Sequence, residues 1–225
     1  INASMMDLLS NEVLAADEDS DVRVIILRGE GNTFSSGGDL NQSTSEEQCP
    51  ESARMTLRHY SKAIRCIRHI SKPVIAMVDG YAVGGAFALV LASDLVCASE
   101  ESIFIPAFCQ IGIIPEMAIM KYLPELIGSQ RAKELLFFGG RIPGRKMYDL
   151  GLINQIFPSK LLEIETIKYA KTLANMPDAS IQITKNIMNS LVDDNLDAVL
   201  NSELTASPFC TTTKAYARTM ARYAR

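Results

Sequence analysis

Residues 72–98, with the sequence KPVIAMVDGYAVGGAFALVLASDLVCA, contain the pattern that decides the fold. The apolar, partly β-branched run at 74–78 is typical of a buried strand. A glycine-rich turn follows at 80–85, and residues 86–93 continue as an apolar helix. Another short strand is predicted at 95–98. Because a strand, a turn and a helix lead directly to a further strand, this stretch predicts an α/β fold.

The residues on the N-terminal side continue the alternation of helices and strands. Helical spacing of apolar residues begins at Ser4, where Ser4 and Asp7 resemble a capping box. A β-branched run at 22–27 predicts a strand, and amphipathic spacing over 54–70 predicts a helix. The segment between them at 41–51 is polar, which indicates a solvated loop that serves either as a lid or as a simple connection.

The residues on the C-terminal side begin with the same alternation and end in helices. Three elements are predicted in order, namely a strand at 103–105 and helices at 117–127 and 130–138. Residues 160–225 are mostly amphipathic helix, interrupted by Pro177 and Pro208. The chain has no internal repeat and no domain linker, so we expect one continuous core.

Composition and charge narrow the classes of function. Of the 225 residues, 48% are hydrophobic and 21% are charged, as in an ordinary globular domain. The 22 Lys and Arg residues and 26 Asp and Glu residues give a net charge of −4, without a basic stripe for nucleic acid. The longest apolar stretches are far shorter than a membrane span. We therefore expect no nucleic-acid partner, no membrane insertion and a cytoplasmic protein.

The cysteines and histidines form no recognisable metal or redox motif. The five cysteines are scattered without a C-x-x-C pair, at Cys49, Cys66, Cys97, Cys109 and Cys210. The two histidines, His59 and His69, lie in one predicted helix. We expect neither a zinc site nor a disulfide framework, and no other metal site.

Two glycine-rich turns, FSSGGDL at 34–40 and DGYAVGGAF at 79–87, are the main functional signal. Gly29 and Gly31 could begin a dinucleotide-binding G-x-G-x-x-G, but Phe34 stands where that motif needs its third glycine. The second turn lacks the Lys-Ser/Thr of a P-loop. Such turns can leave backbone N–H groups free, and two free donors aimed at one point make an oxyanion hole. The alternative is that these glycines only permit tight turns and close packing.

Three blocks of sequence together resemble the crotonase, or enoyl-CoA hydratase/isomerase, superfamily. They are residues 22–40, 72–98 and 139–158, which occur in the family's order. The resemblance implies a spiral of stacked ββα units over residues 1–158. It also implies that residues 159–225 are a helical region of the same domain that drives formation of homotrimers or hexamers. The family's usual N-terminal strand hairpin is expected to be absent from these 225 residues.

The resemblance also assigns residues of the site. The family's two oxyanion-hole donors fall on the backbone N–H groups of Gly38 and Gly85, which would hold a thioester carbonyl oxygen. The backbone around Ser36 and Gly38 corresponds to the part that recognises the adenine of CoA, while Asp39 fits a turn or capping residue. The implied substrate-binding residues are Ser36, Gly38, Asp39, Leu40, Gly84, Ala88, Phe108 and Pro115.

Two departures from the family's pattern argue against a hydratase. Hydratases of the family carry two glutamates that activate water, and these positions hold Ala88 and Phe108 here. Glu116, after Pro115, instead occupies the place where the 3-enoyl-CoA isomerases of the peroxisomal type carry a single catalytic glutamate. A lone carboxylate beside an apolar wall suits a proton shuttle between C2 and C4. The alternative is that Glu116 only interacts with the dipole of the next helix from its first turn.

The resemblance therefore implies an acyl-CoA-processing enzyme of fatty acid metabolism. The specific prediction is an enoyl-CoA isomerase that moves a C3 double bond to C2, with Glu116 as the shuttle and Gly38 and Gly85 as oxyanion donors. An atypical hydratase or a decarboxylase of the same superfamily is one alternative, and a catalytically silent acyl-CoA-binding subunit is another. CoA enters as part of the substrate, and no separate cofactor is implied.

Overall fold

The computed structural model describes residues 1–39 and 49–223. Within these ranges the helices are α1 (Ala3–Glu18), α2 (Pro50–His69), α3 (Gly85–Ala92), α4 (Phe108–Ile111), α5 (Ile119–Ile127), α6 (Ser129–Phe138), α7 (Gly144–Asp149), α8 (Ser159–Ala174), α9 (Asp178–Val192), α10 (Leu196–Thr211) and α11 (Lys214–Met220). The strands are β1 (Ile25–Arg28), β2 (Val74–Val78), β3 (Tyr81–Val83), β4 (Leu95–Ser99), β5 (Ile103–Ile105), β6 (Ile142–Pro143) and β7 (Gln155–Phe157). The predicted α/β class is confirmed.

Four strands form a parallel sheet in the order β1-β2-β4-β7. Ile25 of β1 pairs with Val74 of β2, and Ile75 of β2 pairs with Leu95 of β4. Parallel neighbours need a crossover connection, and α2 and α3 provide the first two. Every residue of β2 is buried, which explains why its sequence is a continuous apolar run and does not alternate.

Three short strands form a second sheet in the order β3-β5-β6. Strands β2 and β3 followed by α3 make one ββα unit, and β4 and β5 followed by α4 make the next. In each unit, the first strand joins the four-stranded sheet and the second joins the three-stranded sheet. The predicted turn at 80–85 therefore contains a strand, because Tyr81–Val83 pairs with Ile103–Ile105 and this long-range ladder leaves no local signal.

Helix α3 lies at the centre of the core. All of its residues are buried, and the ring of Phe87 packs edge-on against that of Phe104 with the ring centroids 5.6 Å apart. Leu196 and Leu200 of α10 belong to the same buried apolar cluster. Helix α10, in the C-terminal region, thus shares the core of the strand-containing region.

The start of α1 differs from the predicted one. Its N-cap is Asn2, whose side chain accepts a hydrogen bond from the N–H of Met5 at 2.9 Å, so the predicted capping box of Ser4 and Asp7 is wrong. The hydroxyl of Ser4 donates to the same Asn2 oxygen, and Asp7 instead contacts Nδ1 of His59 at 2.8 Å. Asn caps helices as well as Ser does, so neighbouring candidates are difficult to separate by sequence.

Two further helix boundaries also differ. Met117 and Ala118 each have a φ of 61°, in the left-handed region, so α5 begins at Ile119 and not at residue 117. Pro208 lies inside α10 and does not interrupt it. It removes one backbone donor near the end of that helix, where Ser207 and Pro208 are both buried against the rest of the fold.

Part of one predicted segment lies outside the described residues. This applies to residues 40–48, which include Leu40 and most of the polar segment predicted at 41–51. Cys49 is the N-cap of α2, which begins at Pro50. Within the described ranges, no helix combines the length and apolar character needed to cross a membrane.

Candidate active site

The first glycine-rich turn is fastened to β3. The N–H of Ser35 donates to the carbonyl of Tyr81 at 2.8 Å, and the N–H of Val83 donates to the carbonyl of Ser35 at 3.1 Å. Gly37 has a φ of 90°, and a Cβ at this position would lie 2.6 Å from the Val83 carbonyl oxygen. Only glycine permits such an approach. The turn that contains Gly38 is therefore held beside the strand that leads to the second turn.

The second turn presents the N-terminus of a buried helix. Gly84 has φ 53° and ψ −117°, which residues with a Cβ avoid, and its N–H donates to the carbonyl of Ile105 at 2.8 Å. Gly85 is the first residue of α3, so its N–H has no acceptor within the helix. In the described part of the chain, neither this N–H nor that of Gly38 donates to a protein acceptor. Gly38 and Gly85 line one cavity, as an oxyanion hole requires.

The cavity between the two turns has a volume of about 510 Å³. Much of its wall is apolar or aromatic and comes from α2, α4, α10 and α11, through Leu57, Tyr60, Phe108, Ile111, Pro208 and Tyr216. Ile1 also lines it, and the carbonyl of Ile1 accepts hydrogen bonds from the N–H of Asp39 at 2.9 Å and the hydroxyl of Tyr60 at 3.3 Å. An apolar wall with a few polar groups suits a ligand that joins an apolar chain to one polar reacting group.

Glu116 places a carboxyl group in the wall of this cavity. It lies in the segment between α4 and α5, before the N-cap residue Ala118, and therefore not in the first turn of α5. Burial raises the pKa of Glu116 from 4.5 to about 7, although a hydrogen bond from the hydroxyl of Ser207 to Oε1 lowers it. A carboxyl group that titrates near neutral pH can both accept a proton and return it.

Most of the residues predicted for the site line this cavity. They are Ser36, Gly38, Asp39, Gly84, Gly85, Phe108 and Glu116. Ala88 and Pro115 are buried but do not line it, and Leu40 lies outside the described residues. The ring of Phe108 lies 3.8 Å from the position that a Cβ on Gly84 would take. Among the described lining residues, the carboxyl groups are those of Glu116 and Asp39, so no glutamate pair faces the cavity.

Two polar residues of α10 near the site were not identified from the sequence. Glu203 and Ser207 lie one helical turn apart and are 0% and 3% exposed. Ser207 contacts Glu116, and both carboxylate oxygens of Glu203 accept the N–H of Ala118, at 3.1 and 3.2 Å. Both residues continue the buried stripe of α10 that includes Leu200. Polar residues at apolar positions of an amphipathic helix were the signal that could have identified them.

Comparison with known proteins gives a family match over almost the whole chain. Residues 1–224 match the family described as enoyl-CoA hydratase/isomerase. Over 210 residues, covering 91% of this chain, the sequence is 30% identical to enoyl-CoA delta isomerase 2 of Rattus norvegicus. It is also 30% identical over 210 residues, or 90% of this chain, to 4-chlorobenzoyl coenzyme A dehalogenase-2 of an Arthrobacter species. These two relatives are named for different reactions.

Coverage of the relatives differs, and the fold is matched closely. The chain spans 53% of the length of the rat protein and 75% of that of the Arthrobacter protein. The crystal structure of enoyl-CoA hydratase from Bacillus halodurans superposes with a TM-score of 0.90 at 24% identity, over 98% of this chain and 90% of that one. At this identity the likeness concerns the fold, and it confirms the fold expected from the three sequence blocks.

Proposed function

This chain belongs to the enoyl-CoA hydratase/isomerase family, and on that premise we propose that it is an enoyl-CoA isomerase of fatty acid metabolism. The proposed reaction converts a 3-enoyl-CoA thioester into the 2-enoyl isomer. CoA is carried by the substrate, and the reaction needs no other cofactor. The substrate would lie in the cavity between the two glycine-rich turns, with its acyl chain against the apolar wall.

The observation that carries this proposal is the position of Glu116 in a cavity that is also lined by Gly38 and Gly85, whose N–H groups donate to no acceptor among the described residues. Its raised pKa, about 7, matches a group that must act first as a base and then as an acid. Water activation in the family's hydratases uses two glutamates, and the corresponding residues here are a buried alanine, Ala88, and Phe108. An isomerisation needs neither water nor a second carboxylate.

The mechanism proceeds in two proton transfers. The ionised Glu116 carboxylate removes a proton from C2, the electron pair of that C–H bond moves toward the thioester, and a dienolate forms. The N–H groups of Gly38 and Gly85 stabilise the negative oxygen as it develops, and one such donor is typically worth about 10²–10³ in rate. Glu116 then returns the proton to C4, the C2–C3 double bond forms and the thioester carbonyl is restored.

We also propose that this enzyme assembles as a homotrimer, alone or as half of a hexamer. Helix α9 supports this proposal, because Ile183, Ile187 and Leu191 follow one another at four-residue spacing and are 57%, 55% and 75% exposed. A stripe of large apolar side chains on one helix face is typical of an interface. A second copy of this chain is the partner that the family resemblance implies.

Turnover of a 3-enoyl-CoA tests the proposed activity. The purified protein is mixed with 3-hexenoyl-CoA, and the absorbance of the conjugated 2-enoyl thioester is followed. We expect this absorbance to rise at an initial rate that is proportional to the enzyme concentration. Formation of 3-hydroxyhexanoyl-CoA from 2-hexenoyl-CoA, without isomerisation, would instead support an atypical hydratase. Release of CO₂ from a malonyl-type thioester would support a decarboxylase. Tight binding of hexanoyl-CoA without any turnover would support the silent subunit.

A further inference from the structure

Glu203 is a buried carboxyl group that the proposed mechanism does not use. It lies on α10 with 0% exposure, and no Lys, Arg or His in the described ranges forms an ion pair with it. Burying a carboxyl group without a cation is unfavourable unless its hydrogen bonds are satisfied. The residues that satisfy them therefore indicate what Glu203 does.

The partners of Glu203 are backbone N–H groups in the segment next to Glu116. Both carboxylate oxygens accept the N–H of Ala118, at 3.1 and 3.2 Å, and the N–H of Met117 also donates to this carboxyl group. In the described part of the chain, Met117 and Ala118 are the residues other than glycine with positive φ. This conformation is unfavourable for a residue with a Cβ and persists only where the surroundings hold it.

The Met117–Ala118 segment lies between Glu116 and the glycine-rich turn that contains Gly85. Glu116 directly precedes it and lines the cavity, while Sδ of Met117 lies 3.0 Å from the position that a Cβ on Gly85 would take. Ser207, one turn further along α10, contacts Glu116 itself. One face of α10 therefore contacts both the carboxyl group of Glu116 and the backbone that follows it.

The protonation state of Glu203 fits the role of a neutral acceptor. Burial raises the pKa of Glu203 to about 8, and the negative charge of Glu116 adds to this rise, while its hydrogen bonds from Ala118 and Met117 lower it. Near neutral pH the group is therefore mostly protonated, and in this form one of the two oxygens that face the N–H of Ala118 is still a carbonyl acceptor. A glutamine has nearly the same shape and also offers a carbonyl oxygen.

We infer that Glu203 is a positioning residue, whose side chain holds the left-handed Met117–Ala118 turn and thereby places the Glu116 carboxyl group against the substrate. This inference rests on the proposed function. It predicts that removing the acceptor of Glu203 lowers kcat more than it weakens acyl-CoA binding. A misplacement of about 1 Å in a reacting group can cost about 10² in rate.

The test compares E203L, E203Q and the control L200A, which changes another fully buried residue of the same helix. For each variant we would measure kcat and KM with 3-hexenoyl-CoA per mole of folded protein, the Kd of hexanoyl-CoA and the melting temperature. E203L is expected to lose at least about tenfold in kcat with Kd unchanged within about threefold. E203Q is expected to recover kcat to within about threefold of the wild type, because it restores the acceptor. L200A is expected to lower the melting temperature with kcat largely retained.

Three results would overturn the inference. These are a folded E203L with wild-type kcat, an E203Q that loses as much activity as E203L, and an L200A that loses as much kcat as E203L. If E203L does not fold, E203D replaces it, because its shorter side chain withdraws the acceptor and it should lose kcat where E203Q does not.

Failure of the proposed function is distinguishable from failure of this inference. The first appears as a wild type without 3-enoyl-CoA turnover, whereas the second appears in the ratio between variant and wild type. A crystal structure of E203L, or of E203D, adds a measurement that does not depend on activity. We expect the Met117–Ala118 turn and the Glu116 carboxyl group to be displaced, and an unchanged turn would contradict the inference.

Discussion

The hydroxyl of Ser207 donates a hydrogen bond to Oε1 of Glu116, across 91 positions of the chain. Ser207 lies on α10, whereas Glu116 lies in the segment before α5. A hydrogen bond to a carboxylate favours the ionised form, so this contact opposes the effect of burial on the pKa of Glu116. A C-terminal helix thus adjusts the acid–base behaviour of the group that we assign to catalysis.

Replacing Glu116 by glutamine should abolish most of the isomerase activity. The amide has nearly the same shape but cannot accept the C2 proton, and general acid–base catalysis typically supplies about 10²–10⁴ in rate. We expect kcat with 3-hexenoyl-CoA to fall by this factor while the Kd of hexanoyl-CoA changes by less than about threefold. The matched control is E134Q on the surface of α6. A Glu116→Gln variant that retains more than about a tenth of the wild-type kcat would be incompatible with the proton shuttle.

The pH dependence of kcat/KM should follow the ionisation of Glu116. The carboxylate is the reactive form, so activity is expected to rise with pH through about 7 and to level off above it. Ser207→Ala removes the hydrogen bond that lowers the pKa, and the rising limb should move to higher pH. The loss of kcat/KM in Ser207→Ala is therefore expected to be larger at acidic than at alkaline pH. Ser202→Ala, on the exposed side of the same helix, should leave the profile unchanged, and a Ser207→Ala profile that coincides with it would contradict the assignment.

Removing the carboxyl group of Glu116 should stabilise the fold at alkaline pH. The pKa of Glu116 rises from 4.5 to about 7 on folding. The contribution of this group to the free energy of unfolding is therefore most favourable below pH 4.5 and falls as the pH rises through about 7. A shift of this size corresponds to up to about 3 kcal/mol above pH 7. We expect Glu116→Gln to raise the free energy of unfolding, measured with urea at pH 8, by up to about 3 kcal/mol. At pH 4 we expect little gain. Equal effects at the two pH values would show that ionisation is not the cause.

An alanine at Gly37 should destabilise the first glycine-rich turn. Its Cβ would lie 2.6 Å from the Val83 carbonyl oxygen, in a backbone with a φ of 90°. We expect a loss of about 2–4 kcal/mol, measured as a lower melting temperature. Gly38→Ala is the matched control for stability, because no atom of the described residues lies within 4 Å of its Cβ position and its φ is ordinary. Similar melting temperatures for the two variants would contradict the close approach of this turn to β3.

A charge on the exposed stripe of α9 should dissociate the proposed trimer. Ile187 lies in the middle of the stripe and is 55% exposed in the single chain. In Ile187→Asp, the carboxylate would be buried without a partner at the interface, so light scattering should report the mass of a monomer where the wild type gives a trimer or hexamer. Ile164→Asp, an exposed position on α8, is the control. A wild type that is itself monomeric would refute the proposed assembly.

Several elements were predictable because their signals are local. The run at Val74–Val78 is apolar throughout because that strand is buried, and its predicted bounds agree with the structure. Strand β3 was not predictable in this way, because it exists through pairing with β5 and its own three residues carry no pattern. The start of α5 was predicted two residues early, because apolar spacing at Met117 and Ala118 resembles a helix while their φ angles do not.

The sequence by itself determined the family, the two glycine-rich turns and the presence of a glutamate at position 116. These depend on residue types in contiguous blocks, which can be read without knowledge of packing. Only the tertiary structure decided what surrounds that glutamate, namely the hydroxyl of Ser207 and the left-handed turn held by Glu203. A pKa depends on burial and on partners, and here the partners come from a helix far along the chain, where no local pattern relates them to Glu116.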